Sequence, residues 1–284
     1  LLLAGEMDLF ESICHTFGTV STGGFSTKNT SIINYSAYSQ YIIILFMFLS
    51  GVSFVIYYYI VKLSFIKVRH NDELWFYLAV TFIFGVLVSG ILLANTTKPA
   101  ELAFREGFFQ VVSFITTTGF VSADYLKWPA GSVAILFFLL FAGASTGSTT
   151  GSIKMARHML VMKNIRSSLA RLVHPGMVTQ IKVSNKPLSE QTNLSATSFL
   201  MIYIFIFLAG AVVLVITGLD PLTAVSASAT SLGNVGPGLG TIGPVFNFLH
   251  LPAVSKLICS LLMIIGRLEI YTFFILFTRS FWRI

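Results

Sequence analysis

Charged side chains are scarce in this sequence. Asp, Glu, Lys and Arg make up 10% of its 284 residues, against about 25% in a soluble domain. With 55% hydrophobic residues and a mean hydropathy of +0.83, that scarcity places the chain in a membrane. Cysteine is nearly absent too. Cys14 and Cys259 are too few for a disulfide framework, and neither has metal-ligand spacing, so both read as packing residues. No HExxH motif, Ser/His/Asp arrangement or pair of intramembrane carboxylates occurs, and five histidines are scattered near span edges. These absences argue against an enzyme and against an organic cofactor. The ten-residue alternation of a membrane β-barrel is also missing. No secretory leader is visible and the first residue is not methionine, so a longer natural chain is expected.

Long apolar runs are abundant. A helix that crosses a bilayer needs about 20 apolar residues. The runs 41–60, 74–94, 199–216 and 257–277 meet or approach that length, the last with a charge pair inside it. A shorter run, 132–143, continues through small residues into 152–162. The expected fold class is an all-α membrane protein.

The net charge of +7 looks like a nucleic-acid footprint until it is laid on these spans. Twelve basic residues against three acids fall on one side, and five against seven on the other. The Lys/Arg excess marks the first side as cytosolic. Orientation thus accounts for the charge, and no nucleic-acid partner is expected.

One pattern occurs three times: a span, a short outer segment, a Thr/Ser-Gly stretch, and a second span back inward. The short segments are 6–26, 98–122 and 220–238. Each begins near an acid, and Asp220-Pro221 reads as an N-cap with proline at the first helical position. Each is too short to span, so each reads as a re-entrant helix, tolerated at membrane depth only where protein or water covers the irregular backbone. The C-terminal end of such a helix carries about half a negative charge. The stretch after it can turn carbonyls inward, and rings of carbonyls replace the hydration shell of an alkali cation. Glycine permits the backbone angles this needs, and threonine hydroxyls offer further uncharged oxygens. Matched by eye on Gly24, Gly119 and Gly233, the expected ion-binding residues are Ser21, Thr22, Gly23 and Gly24; Thr116, Thr117, Thr118 and Gly119; and Ser231, Leu232, Gly233 and Asn234. Each glycine taken singly also suits a simple helix-breaking turn.

The stretches STGGFS, FITTTGF and SLGNVGPGLG, with GASTGSTTGSIK (143–154) and GRLEIYTFFILFTRSFWR (266–283), resemble the TrkH/KtrB family of potassium uptake proteins along essentially the whole chain. The resemblance implies four span–pore-helix–span units arranged pseudo-fourfold around one central pore. It implies potassium as the transported ion, a homodimer, a cytosolic ring of nucleotide-binding subunits that gates it, and a multi-pass location in the bacterial inner membrane. On that pattern residues 1–70 are the second unit without its outer span, 71–189 the third and 190–284 the fourth. Glycine in the filter stretches implies selectivity for potassium. A carrier-type cation symporter with relaxed selectivity is the alternative, although like-oriented repeats and a single acid within a span, Glu269, fit it less well.

Two control elements follow. Residues 142–152 interrupt a span with poor helix formers, and their spacing does not match a phosphate-binding loop: Gly143 and Gly147 lie too close together, and Lys154 follows Ile153. The resemblance implies a loop that blocks the cavity when closed, built on Gly143, Ser145, Thr146, Gly147, Ser148 and Gly151; close helix packing by small residues is the other reading. Arg267 lies in the last span, where a charge is costly. The resemblance implies an electrostatic barrier below the filter; a buried ion pair with another span is the alternative. The basic loop 154–186, with a turn signal at 174–176, reads as a cytosolic connection that could meet the gating ring, although positive-inside charge alone explains most of it.

Overall fold

The computed structural model describes residues 1–174, 176–177 and 180–282, so Pro175 of the expected turn lies outside the described residues. The α-helices among the described residues are α1 (Leu9–Val20), α2 (Ala37–Ser50), α3 (Phe54–Val61), α4 (Phe65–Arg69), α5 (Asp72–Asn95), α6 (Ala100–Ile115), α7 (Ala130–Leu139), α8 (Met155–Val173), α9 (Glu190–Ile216), α10 (Pro221–Gly233), α11 (Ala253–Arg267), α12 (Tyr271–Ile275) and α13 (Arg279–Trp282). A two-residue-per-strand hairpin, β1 (Lys182–Val183) with β2 (Lys186–Pro187), follows α8. Otherwise the architecture is helical, as composition requires.

Local chemistry sets the helix starts. Asp8, Asn71, Ser189 and Asp220 each cap a helix by accepting a backbone N–H three residues on. Pro221 occupies the first turn of α10 as expected. Bonding to Thr223 holds the exposed Asp220 carboxyl below its usual range. The half-length helices α6 and α10 lie inside the protein, whereas α1 buries one face and leaves Leu9, Phe10 and Phe17 exposed. α6 packs on α5 and α2, and α10 packs on α9 and α11. Every residue of α10 from Ser226 to Gly233 is buried, four of them Ser or Thr. Helices of this polarity survive at membrane depth only because neighbouring protein satisfies them: Ser228 Oγ, for instance, donates to the Phe207 carbonyl at 2.7 Å.

Of the expected spans, α5 and α9 are single helices long and apolar enough to cross a membrane. Two others are not continuous. The run 41–60 breaks between α2 and α3 with a bend of 92°. Gly51 closes α2, and its Cα lies so near Tyr77 Oη and Ala144 Cβ that a side chain would not fit. Carbonyls at the break accept from side chains as well: Tyr77 Oη donates to Phe48 O at 2.9 Å and Tyr57 Oη to Leu49 O at 2.5 Å. Hydropathy is blind to such partners. The run 257–277 stops at Arg267, and Glu269 and Ile270 take φ of 55° and 54° before α12 begins. Left-handed backbone at a β-branched residue is costly; here Ile270 is fully buried and its N–H reaches the Ile265 carbonyl at 3.1 Å. The third interruption, between α7 and α8, falls where the small residues predict it.

Candidate functional site

The three Thr/Ser-Gly stretches adopt one backbone design. After α1, Thr22 has φ 53° and Gly24 φ 64°; after α6, Thr117 has φ 51° and Gly119 φ 78°; after α10, Asn234 has φ 56° and Gly236 φ 110°. Hydrogen bonds repeat in step. The N–H of Gly23 bonds to Gly18 O at 2.9 Å, that of Thr118 to Ser113 O at 2.9 Å, and that of Val235 to Thr230 O at 3.0 Å. Two residues beyond, the carbonyls of Phe120 and Pro237 accept from Ser113 Oγ (2.7 Å) and Thr230 Oγ1 (3.0 Å), and the Phe25 carbonyl lies against the side-chain-free Gly18.

This corrects the register expected for the third stretch. Gly236, not Gly233, corresponds to Gly24 and Gly119. Ser231, Leu232 and Gly233 lie within the last turn of α10, and Asn234 is the one expected residue in the irregular stretch. Counting from matched glycines hid the shift; the signal was Asn234, a residue that tolerates the left-handed position after a helix end. Val235, Gly236 and Pro237 join the site in place of the helical three.

The stretches meet main chain to main chain. A Cβ on Gly24 would overlap the Thr118 carbonyl oxygen, and one on Gly119 would overlap that of Val235. Carbonyls from corresponding positions therefore crowd against the neighbouring stretch. The hydroxyls do a different job from the one expected of them. Thr116 Oγ1 donates to Val112 O at 2.7 Å and lies 2.8 Å from Thr118 Oγ1, while Thr22 Oγ1 donates to Ser21 O at 2.7 Å. These hydroxyls bond within their own stretch, to the preceding helix or to the 140–154 loop.

Residues 140–154 cover the helix C-terminal ends. Thr149 Oγ1 reaches the Val20 carbonyl at 3.4 Å and accepts from Thr22 Oγ1 at 3.2 Å. The Gly151 N–H donates to Thr117 Oγ1 at 2.7 Å, and the Gly151 Cα faces the Gly233 carbonyl closely enough to exclude a side chain. One three-residue segment thus touches the ends of α1, α6 and α10. Within the loop, Gly143 N–H donates to Ile153 O at 2.8 Å, and buried Lys154 donates to the Thr150 carbonyl and to its Oγ1. Ser145 N–H donates to Gly51 O at the α2–α3 break at 3.1 Å, and Ser148 Oγ bonds within the loop to Ser145 O at 2.6 Å.

A cavity of about 600 Å³ runs along this assembly. Gly23, Gly24, Thr118, Gly119, Val235 and Gly236 line it, and so does Arg267. Arg267 is exposed, and no carboxylate among the described residues pairs with it. Its neighbour Glu269 bonds instead to Arg157 of α8 at 2.7 Å. The alternative of a buried ion pair is not met: the Arg157–Glu269 bridge is itself half-exposed, and Arg267 takes no part in it.

The family model TrkH, described as a cation transport protein, matches residues 4–284. The chain belongs to the TrkH family. Its relatives include the Trk system potassium uptake protein TrkH of Escherichia coli (strain K12), 34% identical over 98% of this chain and 58% of that protein. Another is the Trk system potassium uptake protein TrkI of Halomonas elongata, 34% identical over 98% of this chain and 57% of that protein. The crystal structure of the potassium transporter TrkH from Vibrio parahaemolyticus superposes with a TM-score of 0.92 at 31% identity, over 99% of this chain and 61% of that one. The TrkH-family chain spans about three fifths of the length of these relatives. Its fold is that of a multi-pass membrane protein built from repeated helical units, as expected.

Proposed function

We propose that this chain contributes three filter stretches to a pore for potassium uptake across the bacterial inner membrane, as a transporter and not an enzyme. The observation that carries the reading is the shared left-handed geometry at Gly24, Gly119 and Gly236, with carbonyls packed stretch against stretch. Three half-helices direct partial negative charge toward the same place, and main-chain oxygens there suit a hard monovalent cation. Residues 1–70, 71–189 and 190–284 act as successive units of a pseudo-fourfold pore, with no organic cofactor on the chain. A homodimer and a cytosolic nucleotide-binding ring fit the family pattern, the ring meeting the basic cytosolic segment around α8. The names of the relatives, each a potassium uptake or transport protein, support potassium over a relaxed-selectivity carrier. The test is ion flux through the full-length protein in liposomes: potassium and rubidium should pass and sodium should be excluded at least tenfold. Equal passage of sodium would rule out the selective pore.

The loop 140–154 serves as the gate and Arg267 as the barrier on the cavity side. A fixed guanidinium on the ion path repels a cation across low-dielectric surroundings. Arg267→Ala is expected to raise cation flux several-fold at unchanged protein level, measured as rubidium uptake into the same liposomes. Wild-type flux in that variant would remove Arg267 from the path.

A further inference from the structure

The gate reading leaves open what holds the loop in place from below. Its lower limb has an anchor outside itself. Glu73, in the first turn of α5, accepts two backbone N–H groups on a single carboxylate oxygen. Its Oε1 lies 2.6 Å from Thr146 N, in the loop, and 3.2 Å from Ala156 N, in the first turn of α8. Helix α8 has no side-chain cap of its own at Lys154, so Glu73 supplies that cap from another helix. The carboxylate thus sits at two helix N-terminal ends, those of α5 and α8, where negative charge is favoured. Hydrogen bonds of this charge-assisted kind are about twice as strong as neutral ones.

We propose that Glu73 is a positioning residue that fastens the 140–154 loop beneath the filter helices. The loop has two points of attachment. Above, Thr149 and Gly151 meet the helix ends. Below, Thr146 and the start of α8 share one oxygen on α5. The preceding residue, the first of α5, links the same point to the cytosolic surface: Asp72 Oδ2 accepts from Lys163 Nζ at 2.7 Å and from the Ser184 N–H at 3.1 Å. Two consecutive acids therefore join the loop, α8 and the β1–β2 turn at the end of a single span. Removing the Glu73 carboxylate frees the Thr146 N–H and uncaps α8 together. The inference rests on the gate reading for its effect on flux but not for the anchoring itself.

The experiment uses the full-length protein with Glu73→Ala, Glu73→Asp and Glu73→Gln. Amide hydrogen exchange over residues 144–151 reads the anchor, and rubidium flux without and with the cytosolic partner reads the gate. Glu73→Ala should exchange at least tenfold faster at Thr146 and its neighbours, with α5 and α6 unchanged. Glu73→Gln, which keeps an acceptor oxygen at the same reach, should recover much of the protection. Glu73→Asp, shorter by one methylene, should fall between and serves if the alanine variant does not fold. Basal flux should rise several-fold in the order of lost protection while the partner-stimulated maximum stays constant, a pattern general destabilisation would not produce. Unchanged exchange in the alanine and aspartate variants would overturn the anchor. Faster exchange with unchanged flux would uphold the anchor and overturn the loop as gate.

Discussion

Gly119→Ala is expected to abolish rubidium uptake by the full-length protein, with a fall of at least a hundredfold. Two costs coincide at this residue. Its φ of 78° carries a penalty of about 1–2 kcal/mol for any residue with a Cβ. The larger cost is steric, because the added methyl would occupy the place of the Val235 carbonyl oxygen. Neither side can retreat. Val235 is fixed through its N–H to Thr230, and Gly119 through its N–H to Ser113 at 3.3 Å. The stretch must therefore shift, and the carbonyls shift with it. Gly236→Ala is the informative companion. At φ 110° it is strained, but nothing lies within 4 Å of the added methyl. It should keep partial uptake with weakened discrimination against sodium. Uptake assays on both variants, normalised to protein in the membrane, separate the terms; full uptake by Gly119→Ala would refute the close-packed arrangement.

Deleting residues 143–151 should give the second large effect, a basal flux raised tenfold or more and insensitive to the cytosolic partner. The residues flanking the cut are already near each other, since Ala142 and Ile153 pair as a bridge, although the deletion also removes the bonds of Ser145 to Gly51, of Gly147 to Phe54 and of Thr146 to Glu73. What goes is the cover over the three helix ends: the contacts of Thr149 with α1, of Gly151 with Thr117, and of Gly151 with Gly233. Rubidium efflux from loaded liposomes, with and without the partner, measures the change. Wild-type flux from a folded deletion variant would refute the gate.

Much of this was legible in the sequence, and the failures have physical causes. The half-length helices were visible because each combines an acidic start, a short apolar body and a Thr/Ser-Gly end. The interruption at 140–154 was visible because Gly, Ser and Thr are poor helix formers. The breaks at Gly51 and after Arg267 were not: the first lies in a run as apolar as any span, and at the second the charge pair was read as part of a continuous span. What makes the first affordable is the hydroxyl of Tyr77, 26 positions away, and of Tyr57. What fixes the second includes the approach of Gly266 to the Leu232 carbonyl, which excludes a side chain there. The three-residue slip in the third stretch has the same origin: the helix ends where its hydrogen bonds end, and Gly233 is a helical residue despite its type. Glu73 gave no sign at all, because an acid in the first turn of a helix is ordinary; only the fold brings Thr146 and Ala156 to it.

The bend between α2 and α3 is completed by the loop from the following unit. The Gly51 carbonyl accepts from Ser145 N–H at 3.1 Å, and the Phe54 N–H donates to Gly147 O at 3.0 Å. Each of these groups, if stranded without water, costs roughly 1–3 kcal/mol. Half-way displacement of the loop would incur that cost on both partners while gaining no replacement, so intermediate positions are penalised relative to the extremes. A barrier of this sort predicts abrupt, step-like transitions in single-molecule current records, in place of a continuum of partly conducting levels.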